Sequence, residues 1–143
     1  MVLPELLSAV SHHDQRGVLH AFSDFNLKEI VRMYAIEPVD TKIIRAWQGH
    51  YKERKWFFPA AGSFEVQIIP LVDNDKPDVP GRTTWLLNAS QPAVLAIPGG
   101  YLNGFKAVEG NARLWVFSDF DLEASKADDI RFSLEEIPWI EHG

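Results

Sequence analysis

Apolar and polar residues alternate along most of this chain, and the alternation has a period of two. Its cleanest stretch is Ser63–Leu71, where Phe64, Val66 and Ile68 fall on one face and Glu65 and Gln67 on the other. That is the pattern of a half-buried strand. Further strands are predicted over Gly17–Phe22, Glu29–Ile36, Thr41–Trp47, Lys55–Pro59, Thr83–Leu87, Ala93–Ile97 and Ala112–Phe117. Ala60-Ala61-Gly62 and Glu109-Gly110-Asn111 read as turns, and the Pro-, Gly- and Asp-rich stretch Asp73–Arg82 reads as a loop. Helix is expected only in short pieces: a turn or two over residues 3–10, the polar segment Asp121–Asp129, and Ser133–Ile137. There is no internal repeat and no low-complexity tract. About eight short strands without a long amphipathic helix predict an antiparallel barrel or sandwich. A parallel α/β sheet would need helical crossovers that the pattern lacks.

Composition narrows this picture. A chain of 143 residues and 16.2 kDa scales to roughly 7,500 Å² of accessible surface when folded, so one core needs no metal or disulfide staple. With 46% hydrophobic and 24% charged residues it is an ordinary globular composition, read as one domain over residues 1–143. The absence of cysteine excludes a disulfide framework, a thiolate nucleophile and any Cys-type metal site, and agrees with a cytoplasmic location. The first ten residues lack a basic start and contain Pro4 and Glu5, which makes a poor signal peptide. No uncharged apolar run approaches the roughly 18 residues of a membrane span. Fourteen basic against twenty acidic residues give a net charge of −6, which disfavours nucleic acid as a partner. The 5 Trp, 9 Phe and 3 Tyr point instead to a packed core or an aromatic-lined cavity.

The chemistry concentrates in two stretches. Gln48, His50, Lys55 and Gly62 follow the spacing of the first cupin motif, in which His, His, Glu and Gly occupy those places; Pro98, Gly100 and Asn103 follow the second, which ends in His. In cupins, the two histidines, the glutamate and the later histidine converge on a metal inside a jelly-roll barrel. Here Gln48, Lys55 and Asn103 replace three of those four ligands. An ammonium repels a divalent cation and amides are weak ligands for transition metals, so no metal is expected. A cation at that place suits an anion or a developing enolate.

With these substitutions the chain resembles the metal-free dTDP-4-dehydrorhamnose 3,5-epimerases, and less closely the dTDP-sugar 3,4-ketoisomerases, from about residue 14 to about residue 139. Asp14-Gln15-Arg16-Gly17 stands where the epimerases have Asp-x-Arg-Gly, and Ile44-Arg45-Ala46-Trp47-Gln48 where they have Leu-Arg-Gly-Leu-His. Ile97 to Phe105 follows their Ile-Pro-x-Gly-Phe-x-His-Gly-Phe, Ser118-Asp119-Phe120 their Thr-Asp-Tyr, and Ile130-Arg131-Phe132 with Pro138-Trp139 their closing motifs. Val31-Arg32-Met33-Tyr34 and Gly49-His50-Tyr51-Lys52 are more similar to the ketoisomerases.

The resemblance implies an all-β cupin jelly-roll with short peripheral helices, a homodimer, no cofactor, and a 4-keto-6-deoxy nucleotide sugar as substrate. Its setting would be bacterial surface-polysaccharide synthesis. It implies Arg16 on the diphosphate, Arg45 and Lys55 on the ketone or enolate, and Gln48 and Asn103 on sugar hydroxyls. The departures matter equally. The family's basic His is Gln48 here, and its proton-returning Tyr, counted back from Ser118-Asp119, falls on Trp115. A neutral amide cannot act as a base near pH 7, and an indole N–H is no practical acid. The Asp that orients the basic His has no counterpart around Ser133–Glu135. That leaves His50 to move protons, since in an extended strand it shares a face with Gln48. The same parity puts Arg45 on the other face, unless a bulge intervenes. The competing reading is a non-catalytic nucleotide-sugar-binding protein that kept the cavity and lost the usual base and acid. His12, His13 and His142 read as exposed residues without a role.

Overall fold

Most of the period-two segments pair into two facing antiparallel sheets, and Val10–Asp14 with Gly17–Ala21 forms a separate two-stranded one. The computed structural model describes residues 2–73 and 75–142. Asn74, within the predicted Asp73–Arg82 loop, lies outside them. The strands in chain order are β1 (Glu5–Ser8), β2 (Val10–Asp14), β3 (Gly17–Ala21), β4 (Arg32–Ile36), β5 (Arg45–His50), β6 (Lys55–Ala61) and β7 (Ser63–Val72). They continue with β8 (Lys76–Pro77), β9 (Thr83–Asn88), β10 (Ala93–Ile97), β11 (Tyr101–Ala107), β12 (Arg113–Ser118) and β13 (Asp129–Arg131). One sheet has the order β1-β10-β6-β12-β4. The other runs β13-β5-β11-β7, and the free edge of β7 is taken first by β9 and then by β8. This is the all-β cupin jelly-roll that the pattern and the resemblance predicted. The helical pieces are α1 (Leu122–Ala127), capped by the Asp121 carboxylate on the Ala124 N–H, and two 3-10 turns at Leu27–Glu29 and Val79–Gly81.

The main core lies between the sheets and is built from inward residues of both: Phe57, Phe64, Val66, Leu95, Phe105, Leu114 and Val116. Gly62 sits between β6 of one sheet and β7 of the other, at φ +69°. A Cβ there would lie 2.9 Å from Ala112, so glycine is required both by the backbone and by the space. A second cluster covers the outside of the β5-β11-β7 sheet. The C-terminal segment lays Ile137 and Trp139 over Trp47, Ile69, Leu71 and Leu102. Trp47 stacks on Trp139 at 5.7 Å and donates its indole N–H to the Ile137 carbonyl at 2.7 Å.

That cover changes the meaning of the β7 alternation. Glu65 and Gln67, read as a solvent face, are buried. Gln67 donates to Glu65 and to the Ile140 carbonyl and accepts from Arg82, which also binds the Pro138 carbonyl. Burial of these polar groups is tolerated because each finds a partner. Residues 5–8, expected as helix, instead form β1, paired with β10 from Glu5↔Ala96 to Ser8↔Ala93. Sheet pairing there overrides the helical preference of Leu, Glu and Ala.

Candidate active site

A cavity of about 410 Å³ opens between the two sheets. Its polar wall comes from Gln48 on β5, Lys55 on β6 and Asn103 on β11. Arg45 and Arg131 join them, and Tyr34, Phe57, Phe105, Val116 and Phe132 supply the apolar surface. The neighbouring strands β5 and β11 set Gln48 directly opposite Asn103.

Arg45 reaches this wall through a bulge. The register runs from Asn103↔Gln48 to Phe105↔Arg45, so three steps on β5 match two on β11. The extra residue inverts parity and returns Arg45 to the face of Gln48. Gly104 lies opposite the irregularity. A Cβ on it would fall 2.6 Å from the Ala46 Cβ and 3.0 Å from the Trp47 ring, so the close approach depends on glycine.

The polar groups form a chain of charges and dipoles. Lys55 Nζ donates to Gln48 Oε1 at 3.2 Å, and Gln48 Nε2 donates to Asp129 Oδ1 at 2.9 Å. Arg131 Nε closes the chain on Asp129 Oδ2 at 2.7 Å. Burial pushes the Lys55 ammonium down to about 8; Glu53 and Asp129 oppose the shift, while Arg32 and Arg131 add to it. Lys55 is thus mostly cationic at pH 7, in a setting where a cation is poorly solvated and strongly felt. Its Nζ lies 5.9 Å from the centre of the Tyr34 ring, whose phenol is held above its ordinary value chiefly by burial. Tyr34 stands on β4, opposite Val116 of β12.

His50 shares the interior with Gln48 but lies deeper, 3% exposed and outside the cavity lining. Its Nδ1 is 3.2 Å from the Asp128 carbonyl and 3.4 Å from Glu53 Oε1. Its Nε2 is buried without a hydrogen-bond partner among the described residues. Burial and the Lys55 charge lower the His50 value below 6.5, with Glu53 and the Asp128 carbonyl opposing. The ring is therefore neutral at pH 7.

Two predicted site residues lie elsewhere in the chain. Arg16 sits at the β2–β3 turn with its side chain 85% exposed and its guanidinium on Asp14 at 2.6 Å. Trp115 lies on the other face of β12, because Leu114, Val116 and Ser118 are the inward residues of that strand. Counted back from Ser118-Asp119, the Tyr place thus falls on a position that does not line the cavity. The sequence assigned no role to Tyr34, Asp129 or Arg131. Tyr34 and Arg131 stood in matched motifs without a chemical reason to choose them, and Asp129 sat in a stretch read as a solvated helical turn. Among the described residues, no three His, Cys, Asp or Glu side chains gather in a way that could hold a metal ion.

Solved structures with this architecture are numerous. The chain is similar to a dTDP-4-dehydrorhamnose 3,5-epimerase from Bacillus anthracis with TDP and pyrophosphate bound. The TM-score is 0.77 over 98% of this chain and 86% of that one, at 18% identity. A 3,4-ketoisomerase from Thermoanaerobacterium thermosaccharolyticum in complex with TDP-4-keto-6-deoxyglucose gives 0.71 over 90% and 87%, at 20% identity. It has the fold of nucleotide-sugar epimerases and ketoisomerases. A third neighbour, a 3'-monoepimerase from Streptomyces bikiniensis in complex with dTDP, gives 0.76 over 96% and 74%, at 12% identity. No family model and no curated protein sequence matches the chain. At these identities the likeness establishes the fold, and the residues of the cavity must carry the chemistry.

Proposed function

We propose that this protein is a metal-independent sugar-nucleotide epimerase or 3,4-ketoisomerase. Its substrate would be a 4-keto-6-deoxy sugar carried on a nucleoside diphosphate, in bacterial surface-polysaccharide (O-antigen or lipopolysaccharide) synthesis. The observation that carries the reading is the convergence of Arg45, Gln48, Lys55 and Asn103, from three strands, on one cavity. A ketone oxygen placed at Lys55 Nζ would gain negative charge as the neighbouring C–H bond breaks, and a buried ammonium stabilises that charge far better than water does. His50, neutral and with a free Nε2, is the proton acceptor. Its distance from the lining is compatible with this role, since catalytic hydrogen bonds tighten in the substrate complex. Tyr34, on the facing sheet and kept protonated by burial, is the donor for the opposite side of the sugar. Arg45 and Arg131, at the same cavity, meet the diphosphate.

The assembly we propose is a homodimer. Among the described residues β2 and β3 pair only with each other, and their apolar residues Val10, Val18 and Leu19 are 49–60% exposed. A lone hairpin of this kind is marginal in water. The accessible surface is 8518 Å², about 1,000 Å² above the monomer scaling, close to what one partner of a standard interface buries. Such a dimer is also the route by which Arg16 could serve a site.

The test is incubation with dTDP-4-keto-6-deoxyglucose in D₂O, following the C3 and C5 protons by NMR. Deuterium entry at either carbon establishes enolisation. Calorimetric binding without exchange would support the competing reading, a non-catalytic nucleotide-sugar-binding protein. Gln48 favours that reading, because an amide stands where the family's base would be.

A further inference from the structure

The turn between β5 and β6 places a carboxylate inside the barrel that no motif anticipated. Glu53 is 2% exposed, three residues after His50 and two before Lys55. Its position is fixed from several elements. The Asp128 carboxylate accepts from the backbone N–H groups of Lys52 and Glu53 at 2.9 and 2.7 Å and so locks the turn. Ser118 Oγ on β12 donates to Glu53 Oε2 at 2.7 Å, and Arg32 on β4 reaches the same oxygen at 3.3 Å. Oε1 is buried and has no hydrogen-bond partner among the described residues, yet it lies 3.4 Å from His50 Nδ1.

The consequence for His50 follows from donor and acceptor rules. Both neighbours of Nδ1, the Asp128 carbonyl and Glu53 Oε1, can only accept, so Nδ1 must carry the proton in the neutral ring. The lone pair is then on Nε2, the nitrogen without a partner. If Nε2 takes a proton, the ring becomes a cation beside the Glu53 carboxylate, with Asp129 also favourable and Lys55 opposed. We infer that Glu53 is a positioning residue for His50: beside the Asp128 carbonyl, which accepts at Nδ1, it favours the Nδ1–H tautomer and stabilises the imidazolium formed when Nε2 accepts a proton. In effect a carboxylate three residues downstream supplies what the closing segment of the chain lacks. The inference rests on the reading of His50 as the base, and its test separates the two.

The tautomer is measured without substrate, by ¹⁵N NMR of the histidine side chains. A pyrrole-type Nδ1 and a pyridine-type Nε2 for His50 are expected, and the reverse pattern would overturn the inference. In Glu53→Gln the His50 titration should move down by about one pH unit or more, as loss of an opposite charge at this distance requires. The acidic limb of the deuterium-exchange rate should move with it, and kcat/KM should fall about tenfold or more while KM changes little. Glu53→Asp should recover part of both shifts. A packing role alone would lower stability without moving either titration, and that result refutes the inference. If Glu53→Gln does not fold, Glu53→Asp and Ser118→Ala, which keep a carboxylate but displace it, carry the same titration readout. If His50→Asn leaves exchange intact, the choice of base is wrong, while the ¹⁵N titration of Glu53→Gln still decides whether Glu53 governs the ring.

Discussion

The buried ammonium of Lys55 makes a prediction about stability that is independent of any substrate. Lys55 is 4% exposed and its value falls from 10.5 to about 8, which corresponds to about 3 kcal/mol by which folding disfavours the charged form at pH 7. Lys55→Met removes this cost while filling a similar volume. It also leaves Gln48 Oε1 without its donor, a loss of about 1 kcal/mol for a partly exposed acceptor, and takes a cation from Glu53. The variant should therefore be more stable at pH 7 by about 1–2 kcal/mol, or roughly 3–8 °C in Tm, while losing deuterium exchange. The pH dependence fixes the cause. The folded value lies below the unfolded one, so between about pH 8 and 10.5 the unfolded chain binds more protons and wild-type stability rises with pH. By pH 10 the wild type should recover about 2–3 kcal/mol relative to the variant, and their order should invert. Urea titrations of both proteins at pH 7 and pH 10, at one protein concentration and followed by Trp fluorescence, measure this double difference. A gap that stays constant between the two pH values would refute the reasoning.

Other outcomes follow from the same geometry. Gly104→Ala should cost about 1–3 kcal/mol by overpacking against Ala46 and Trp47 and should raise KM by displacing Arg45; chemical denaturation and initial rates check both. Trp115→Phe, on the outer face of β12, should leave deuterium exchange within about twofold of wild type by the same NMR assay. Leu19→Glu on the exposed hairpin should convert the proposed dimer to monomer by sedimentation equilibrium; a wild type that is already monomeric at micromolar concentration would remove the dimer. The kcat/KM profile should fall on the alkaline side near pH 8, where free Lys55 loses its proton, and an alkaline limb at 10 or above would show that the electrophile is another group.

What could be read from the sequence depended on whether a feature is local. The alternation over Ser63–Leu71 is local, and β7 (Ser63–Val72) forms where it predicts. The burial of Glu65 and Gln67 depends on a C-terminal segment some 70 residues away, and no window on the sequence contains it. The bulge that turns Arg45 inward arises between β5 and β11, and Gly104 enables it from the partner strand. Parity along β5 alone gives the opposite answer, so the sequence could state the condition without deciding it. Tyr34 was invisible for a related reason: a phenol usable by the cavity could stand on any inward strand, and the motif directed attention to β12. Glu53 and Asp129 sit among other charged residues in polar stretches, where the ordinary expectation is solvent. Only the packing of β13 against β5 brings Asp129 onto Gln48.

The substituted cupin positions also explain why stability and proposed activity are linked here. A jelly-roll fixes where inward polar side chains can stand, on the strands that border the cavity, but leaves their identity open. With histidine and carboxylate at those positions, a bound metal would supply the positive charge. With Gln48, Lys55 and Asn103 there, the proposed activity draws its positive charge from Lys55. Its strength toward a ketone oxygen then depends on how poorly water can screen it. Exposing Lys55 to relieve its burial would weaken that electrophile in proportion. The surrounding groups moderate the cost without cancelling it: Glu53 and Asp129 draw the Lys55 value upward, Arg32 and Arg131 draw it down, and the balance settles near 8. A value near 10 would mean a well-solvated, weak electrophile, and a value near 6 would leave the amine neutral at pH 7. The arrangement around Lys55 holds the group between those limits, and that is why its carboxylate neighbours, and not only the lysine, belong to the site.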